Sequence, residues 1–481
     1  MQVTRFPTHM KMNTLTKYAV GAGAAGAVIA GAVLGALHLS AAMTTQAEFP
    51  AGSPEAKAQL DATLQFKCAA CHGATTDTYN PLLNILSMGM MKRDVEAGQR
   101  AFTLTPDADV RNASVDLLKM DQVLTRRHMP PMIYRVMHPG TGLTDADAKL
   151  LRTQYSEEAA RAARYGTITP APAPTTPQEA AKIQLGKLLY NDPRLSTTNT
   201  VSCASCHDLT KGGTDNLSKS EGVPGADGKP QLGGVNAPTV YNAETNIRQF
   251  WDGRAADLKE QAGGPPLNPV EMGYAHPSDW NKIAYKLAQS PELPPLFAAA
   301  FGDKGITADT ITEAIAAYEK TLRTPDSAFD AYQNGQQQAL SPEAAAGKLA
   351  YEQQGCATCH SGPTLGGQSF EYINTYADLR RLAAPSKYVE GAYGLADFTK
   401  KPEHKDMFRV PNLRNVALTA PYFHTGSVDK LEDAVRIMIK TQGKGIDTPE
   451  EVNNITAFLR SQTGKLNGKS LDALTPEDVK P

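Results

Sequence analysis

A mainly α fold, built from three small helical units in tandem, is what the sequence predicts, and three observations predict it. All six cysteines fall into C-x-x-C pairs followed at once by histidine: CAACH at 68–72, CASCH at 203–207 and CATCH at 356–360. Two of these strings follow related segments, TPQEAAKIQLGKLLY (176–190) and SPEAAAGKLAY (341–351), and the third follows Ser53-Pro54-Glu55. Ser or Thr before Pro is an N-cap and first-turn signature, and the Ala/Leu spacing behind it has helical period. Long β-branched runs are few, which leaves little room for sheet.

C-x-x-C-H is the attachment motif for c-type haem. Two thiols one helical turn apart form thioethers to the porphyrin, and the adjacent histidine lies under the ring. The expectation is three covalently bound haem c groups, at Cys68 and Cys71, Cys203 and Cys206, and Cys356 and Cys359, with His72, His207 and His360 as iron ligands. A zinc site or a thioredoxin-like pair would need no histidine directly behind each pair. The predicted units are therefore cytochrome c-like haem domains.

Residues 19–37, AVGAGAAGAVIAGAVLGAL, carry no charge, and Arg5, Lys11 and Lys17 precede them. This pattern predicts one N-terminal transmembrane helix with its basic end in the cytoplasm. A cleaved signal peptide is the alternative, with small residues at Ser40-Ala41-Ala42. Either delivers the body to the periplasmic side of a bacterial inner membrane, where haem is attached covalently. The stretch 166–177, GTITPAPAPTTP, has four prolines and no charge, and reads as a stiff linker. The expected division is 1–47 cytoplasmic end and anchor, 48–165 first haem domain, 166–177 linker, 178–340 second and 341–481 third haem domain.

The 481 residues carry 48 Lys+Arg against 50 Asp+Glu, a net charge of -2, so no nucleic-acid partner is expected. With 41% hydrophobic and 20% charged residues the chain as a whole is not disordered.

Electron transfer suits an iron with two protein ligands, and catalysis suits one with an open face. For the first haem, RHMPPMIYRVMHPGTGLTDADAKLL (127–151) places Met-Pro-Pro before a polar turn and a helix starting near Thr144-Asp145. Met129 is the expected sixth ligand there, with Met132, His128 and His138 as alternatives.

Downstream, the stretches VSCASCHDLTKGGTDN (201–216), NAPTVYNAETNIRQFWDGRAADLKEQAGGPPLNPVEM (236–272) and VPNLRNVALTAPYFHTGSVDKLEDAV (410–435) resemble bacterial dihaem cytochrome c peroxidases. With the extra N-terminal haem segment and the anchor, the whole chain resembles the trihaem, membrane-bound quinol peroxidase branch. The resemblance implies that the His207 haem is peroxidatic and that His360 and Met438 ligate a high-potential haem that relays electrons. It implies that Trp251 lies between these haems, that Glu271 and Gln261 are the distal glutamate and glutamine, and that Asn236, Thr419 and Pro421 hold a calcium ion. Hydrogen peroxide is the implied substrate, with a quinol as electron donor or a small soluble electron donor as alternative. A homodimer is left open.

Many family members carry a removable distal histidine in the loop after the peroxidatic haem motif. Here that loop, LSKSEGVPGADGKPQLGG (217–234), has no histidine, and the next one is His276. The peroxidatic iron is therefore expected to be open already in the oxidised enzyme. Two rival functions are a pure electron-transfer cytochrome and a MauG-like dihaem oxygenase. The first would need six ligands on every iron. The second carries tyrosine where this chain has Met438.

Overall fold

The computed structural model describes residues 54–68, 113–126, 129, 142–154, 157–374, 378–383, 392–443 and 447–480. Among these, the helices of eight residues or more are α1 (Pro54–Lys67), α2 (Ala113–Arg126), α3 (Asp145–Gln154), α4 (Glu157–Arg164), α5 (Pro177–Tyr190), α6 (Trp280–Ala288), α7 (Leu293–Phe301), α8 (Ala308–Glu319), α9 (Pro342–Gln354), α10 (Leu431–Gln442) and α11 (Pro449–Arg460). Strands are short and antiparallel: β1 (Glu221–Pro224) with β2 (Pro230–Leu232), β3 (Phe370–Tyr372) with β4 (Met407–Arg409), and β5 (Lys465–Leu466) with β6 (Lys469–Ser470). The mainly helical expectation holds. No described helix is long and apolar enough to cross a membrane, and the segment 19–37 lies outside the described residues.

The helix starts follow the capping logic of the sequence. Thr176 accepts from the Glu179 N–H at 3.1 Å, with Pro177 at the first helical position of α5. Ser341 does the same for the Ala344 N–H of α9, ahead of Pro342. At α3, Thr144 and Asp147 cap each other reciprocally, through the Thr144 N–H on Asp147 Oδ2 (2.7 Å) and the Asp147 N–H on Thr144 Oγ1 (3.2 Å). Each cap satisfies donors that the first turn leaves open.

The chain divides into two compact units, Met1–Val95 with Val123–Gln154, and Glu96–Gln122 with Tyr155–Pro481. In the smaller unit α1 packs on α3, with Leu60 and Leu151 buried. The larger unit has separate apolar cores. One gathers Leu185, Leu189, Ile283, Phe297, Ile311 and Ile315 from α5 to α8. Another gathers Tyr351, Val435, Ile439, Ile455 and Phe458 from α9 to α11. A third joins Tyr190, Leu209 and Tyr318 to Leu466 and Leu471, so the segment after α11 returns to pack beside α5. Arg414 and Asp330, both buried, form a two-pronged ion pair at 2.7 and 2.8 Å, a geometry suited to guanidinium and carboxylate.

Candidate functional site

The repeated Gly-Lys-Leu-x-Tyr ending explains how the second and third haem motifs are held. In α5, a Cβ on Gly186 would lie 1.9 Å from the Ala314 carbonyl oxygen of α8. In α9, one on Gly347 would lie 1.8 Å from the Asn454 oxygen of α11. Only glycine lets each helix pair approach so closely. Four residues later the buried Tyr190 donates its hydroxyl to the His207 carbonyl at 2.5 Å, and Tyr351 donates to the His360 carbonyl at 2.6 Å. One helix thus meets its partner through the glycine and fixes the motif histidine through the tyrosine.

Both motif histidines are held in the neutral form. His207 Nδ1 faces the Gly213 carbonyl at 3.4 Å, and His360 Nδ1 faces the Leu365 and Pro411 carbonyls at 3.3 and 3.2 Å. A carbonyl only accepts, so Nδ1 carries the proton and Nε2 keeps its lone pair for a metal. Burial holds His207 below the usual imidazole range and pushes His360 down to about 4.

Cys356, Cys359 and His360 line a cavity of about 240 Å³ together with Met438 of α10. Thr441 Oγ1 lies 4.0 Å from the Met438 sulfur. Two thiols, a neutral imidazole and a thioether on apolar walls (Leu431, Val435 and Ile439 among them) are the donor set that a covalently attached haem with His and Met ligands requires. The residues present fit the group. The Cys203, Cys206 and His207 string repeats the attachment geometry, with Ser205 Oγ accepting the Ser202 N–H at 3.0 Å ahead of the short helix Cys203–Cys206.

Glu271 is brought to the CASCH string. The hairpin β1–β2 packs on its backbone: the Val223 N–H donates to the Glu271 carbonyl at 3.0 Å, and a Cβ on Gly222 would meet the Val270 oxygen at 1.9 Å. Burial raises the Glu271 carboxyl above its ordinary range. The Arg254 charge and a hydrogen bond from Asn268 oppose that rise. Asn268 Nδ2 donates to Glu271 Oε1 at 2.7 Å. The Glu271 charge in turn helps to raise the Cys206 thiol, after burial, which puts the carboxylate within electrostatic reach of the attachment site. The loop 217–234 thus forms the hairpin supporting Glu271. His276 is exposed, its ring on Ser278 Oγ at 2.8 Å.

Trp251 is buried, and its indole N–H donates to the Asn236 carbonyl at 2.9 Å. It lines the Met438 cavity and meets the His424 ring edge-on at 6.2 Å. Gln261 is half-buried in the short helix Leu258–Ala262. Asn236, Thr419 and Pro421 all line that same cavity. Asn236 Nδ2 donates to the Leu217 carbonyl at 2.8 Å, which leaves its Oδ1 as an oxygen donor for a hard cation. Cys68 directly follows α1 and Met129 is half-buried, whereas Cys71, His72, His128, Met132 and His138 lie outside the described residues.

Sequence reasoning missed Asn268, although it stands three residues before Glu271 in the same Pro-rich stretch. It also missed Glu319, the last residue of α8, which is buried and lifted to about 8 by that burial.

Residues 180–338 match the family described as di-haem cytochrome c peroxidase, and residues 32–157 match a haem-binding domain. The chain is 40% identical over 390 residues to cytochrome c peroxidase Ccp of Escherichia coli (strain K12), covering 78% of this chain and 81% of that one. It is 41% identical over 304 residues to cytochrome c551 peroxidase of Nitrosomonas europaea, covering 63% and 86%. Among solved structures, a MauG-like protein associated with microbial copper homeostasis aligns with a TM-score of 0.54 and 29% identity, over 62% of this chain and 94% of that one. With attachment strings, their motif histidines and a half-buried carboxylate assembled as described, the chain belongs to the di-haem cytochrome c peroxidase family and is a haem c peroxidase acting on hydrogen peroxide.

Proposed function

We propose that this chain is a trihaem, membrane-anchored peroxidase that takes electrons from the quinol pool and reduces peroxide at the CASCH site with Glu271 as the proton-transfer group. The observation that carries the reading is Glu271, half-buried within electrostatic reach of Cys206, held by Asn268 and backed by a hairpin that has no histidine. When bound, the haems supply an open iron for peroxide at His207 and two electrons, passed from the N-terminal site (His72, Met129) through that of His360 and Met438, past Trp251. The chain's own residues handle protons and position. The Glu271 carboxylate takes the proton from the peroxide oxygen that binds and delivers it to the oxygen that leaves. A carboxyl whose affinity for protons is raised by burial performs both transfers near neutral pH. With two further protons from solvent and two electrons from the donor, one peroxide becomes two waters. Gln261 positions peroxide by hydrogen bonding.

Further parts of the proposal concern the surroundings. The segment 19–37 anchors the protein in a bacterial inner membrane with its body in the periplasm. Asn236, Thr419 and Pro421 hold a calcium ion by oxygen donors. Met438, a thioether in the cavity of the third haem motif, favours an electron-relaying haem over the MauG-like reading.

Two measurements test these parts. Peroxide-dependent oxidation of a quinol by the detergent-solubilised protein, with reduced cytochrome c in parallel, tests the donor, and turnover with cytochrome c alone discards the quinol. An EPR spectrum of the oxidised protein should contain a high-spin haem, and a purely low-spin spectrum would contradict the open iron.

A further inference from the structure

Arg409 is 3% exposed, and it lies on β4 in the wall of the Met438 cavity. Its Nε donates to the Phe250 carbonyl at 3.1 Å and its backbone N–H to the Trp251 carbonyl at 2.9 Å. Its Nη1 is buried and makes no hydrogen bond among the described residues. The charged neighbour on the same wall, Glu371 of β3, is engaged by Lys119 at 2.7 Å. Burial holds the guanidinium down at about 10, and no acid among the described residues offsets that shift.

A buried cation that lacks a counter-ion is strongly unfavourable, and buried charges persist where they are paired. A guanidinium fork selects a planar, two-oxygen anion, a carboxylate above others. Haem c carries two carboxylates at one edge. We propose that Arg409 is the counter-cation for a propionate of the haem attached at Cys356 and Cys359, fixing that edge beside Phe250 and Trp251. Arg409 then acts as a positioning residue: the strand that grips the cofactor's acidic edge is the one hydrogen-bonded to the backbone of Phe250 and Trp251.

The inference rests on the proposed haem at CATCH, and the test separates the two. The holoprotein and its Arg409→Gln and Arg409→Lys variants are compared by resonance Raman, by spectroelectrochemical titration and by haem content per chain. In Arg409→Gln the propionate bending band of the Cys356/Cys359 haem shifts, and the midpoint potential of that haem falls at pH 8, because an ionised propionate without its cation favours ferric iron. In Arg409→Lys the charge remains and the potential stays near that of the unsubstituted protein, while the band still shifts because a point charge replaces the fork. If Arg409→Gln fails to mature, the Arg409→Lys band shift decides alone. A band at its original position in a variant that retains its low-spin haem overturns the role of Arg409. A holoprotein with no low-spin haem at Cys356 and Cys359 overturns the haem reading instead.

Discussion

Asn268 Nδ2 donates to Glu271 Oε1 at 2.7 Å, three residues away along the same Pro-rich turn. That bond favours the ionised carboxylate, against burial, which favours the protonated form. Removing the amide leaves burial less opposed. Asn268→Ala should move the acid limb of the peroxide-reduction pH profile to higher pH, with turnover at alkaline pH largely kept. An acid limb at the unchanged position would show that another group sets it.

Tyr190 at the end of α5 and Tyr351 in the last turn of α9 support the haem motifs through one bond each. Tyr190→Phe and Tyr351→Phe should each cost about 1–2 kcal/mol, since a buried carbonyl loses its donor. Denaturant unfolding of the holoprotein would register this as a lower midpoint with haem content retained. An unshifted midpoint would remove the tyrosines from the account.

Met438→His tests the sixth ligand of the third haem motif. Replacing a thioether by an imidazole lowers the reduction potential of the haem that it ligates. The expected result is a downshifted potential for one haem and slower turnover with either electron donor. Potentials identical to those of the unsubstituted protein would exclude Met438 as a ligand.

Glu319 predicts a pH-dependent stability. Its carboxyl is raised from 4.5 to about 8 by burial, and its Oε2 makes no hydrogen bond among the described residues. Between those values the folded protein keeps a proton that the unfolded chain releases, so this group costs stability as pH rises from 4.5 towards 8. Glu319→Gln should stabilise the protein by up to about 3 kcal/mol at pH 7, with the gain vanishing below pH 4.5. Equal gains at pH 4 and pH 8 would indicate a packing effect unrelated to titration.

Much of the local structure was legible because capping and spacing are short-range. Thr176-Pro177 and Ser341-Pro342 start helices where their chemistry requires, and the final tyrosines of the repeat stand near the strings that follow them. The shared function of Gly186 and Gly347 was not legible, since what each approaches, Ala314 and Asn454, lies more than a hundred residues away. The same holds for Arg409, whose partners Phe250 and Trp251 come from a distant segment. Glu271 illustrates the division. Alone it reads as an ordinary surface carboxylate. Family register singled it out, while the hairpin that backs it and the Asn268 bond that orients it appear only in the folded chain. His72 and Met132 lie outside the described residues, so the first haem's ligands remain expectations from sequence.

The most direct test of the central claim is peroxide reduction by the fully oxidised, fully haem-loaded protein and its Glu271→Gln variant, without pre-reduction and with the same donor. The account predicts immediate turnover by the unsubstituted protein and loss of at least about a hundredfold in the variant, the scale of general acid–base catalysis, with haem content unchanged. A Glu271→Gln protein that turns over peroxide at the original rate would contradict it.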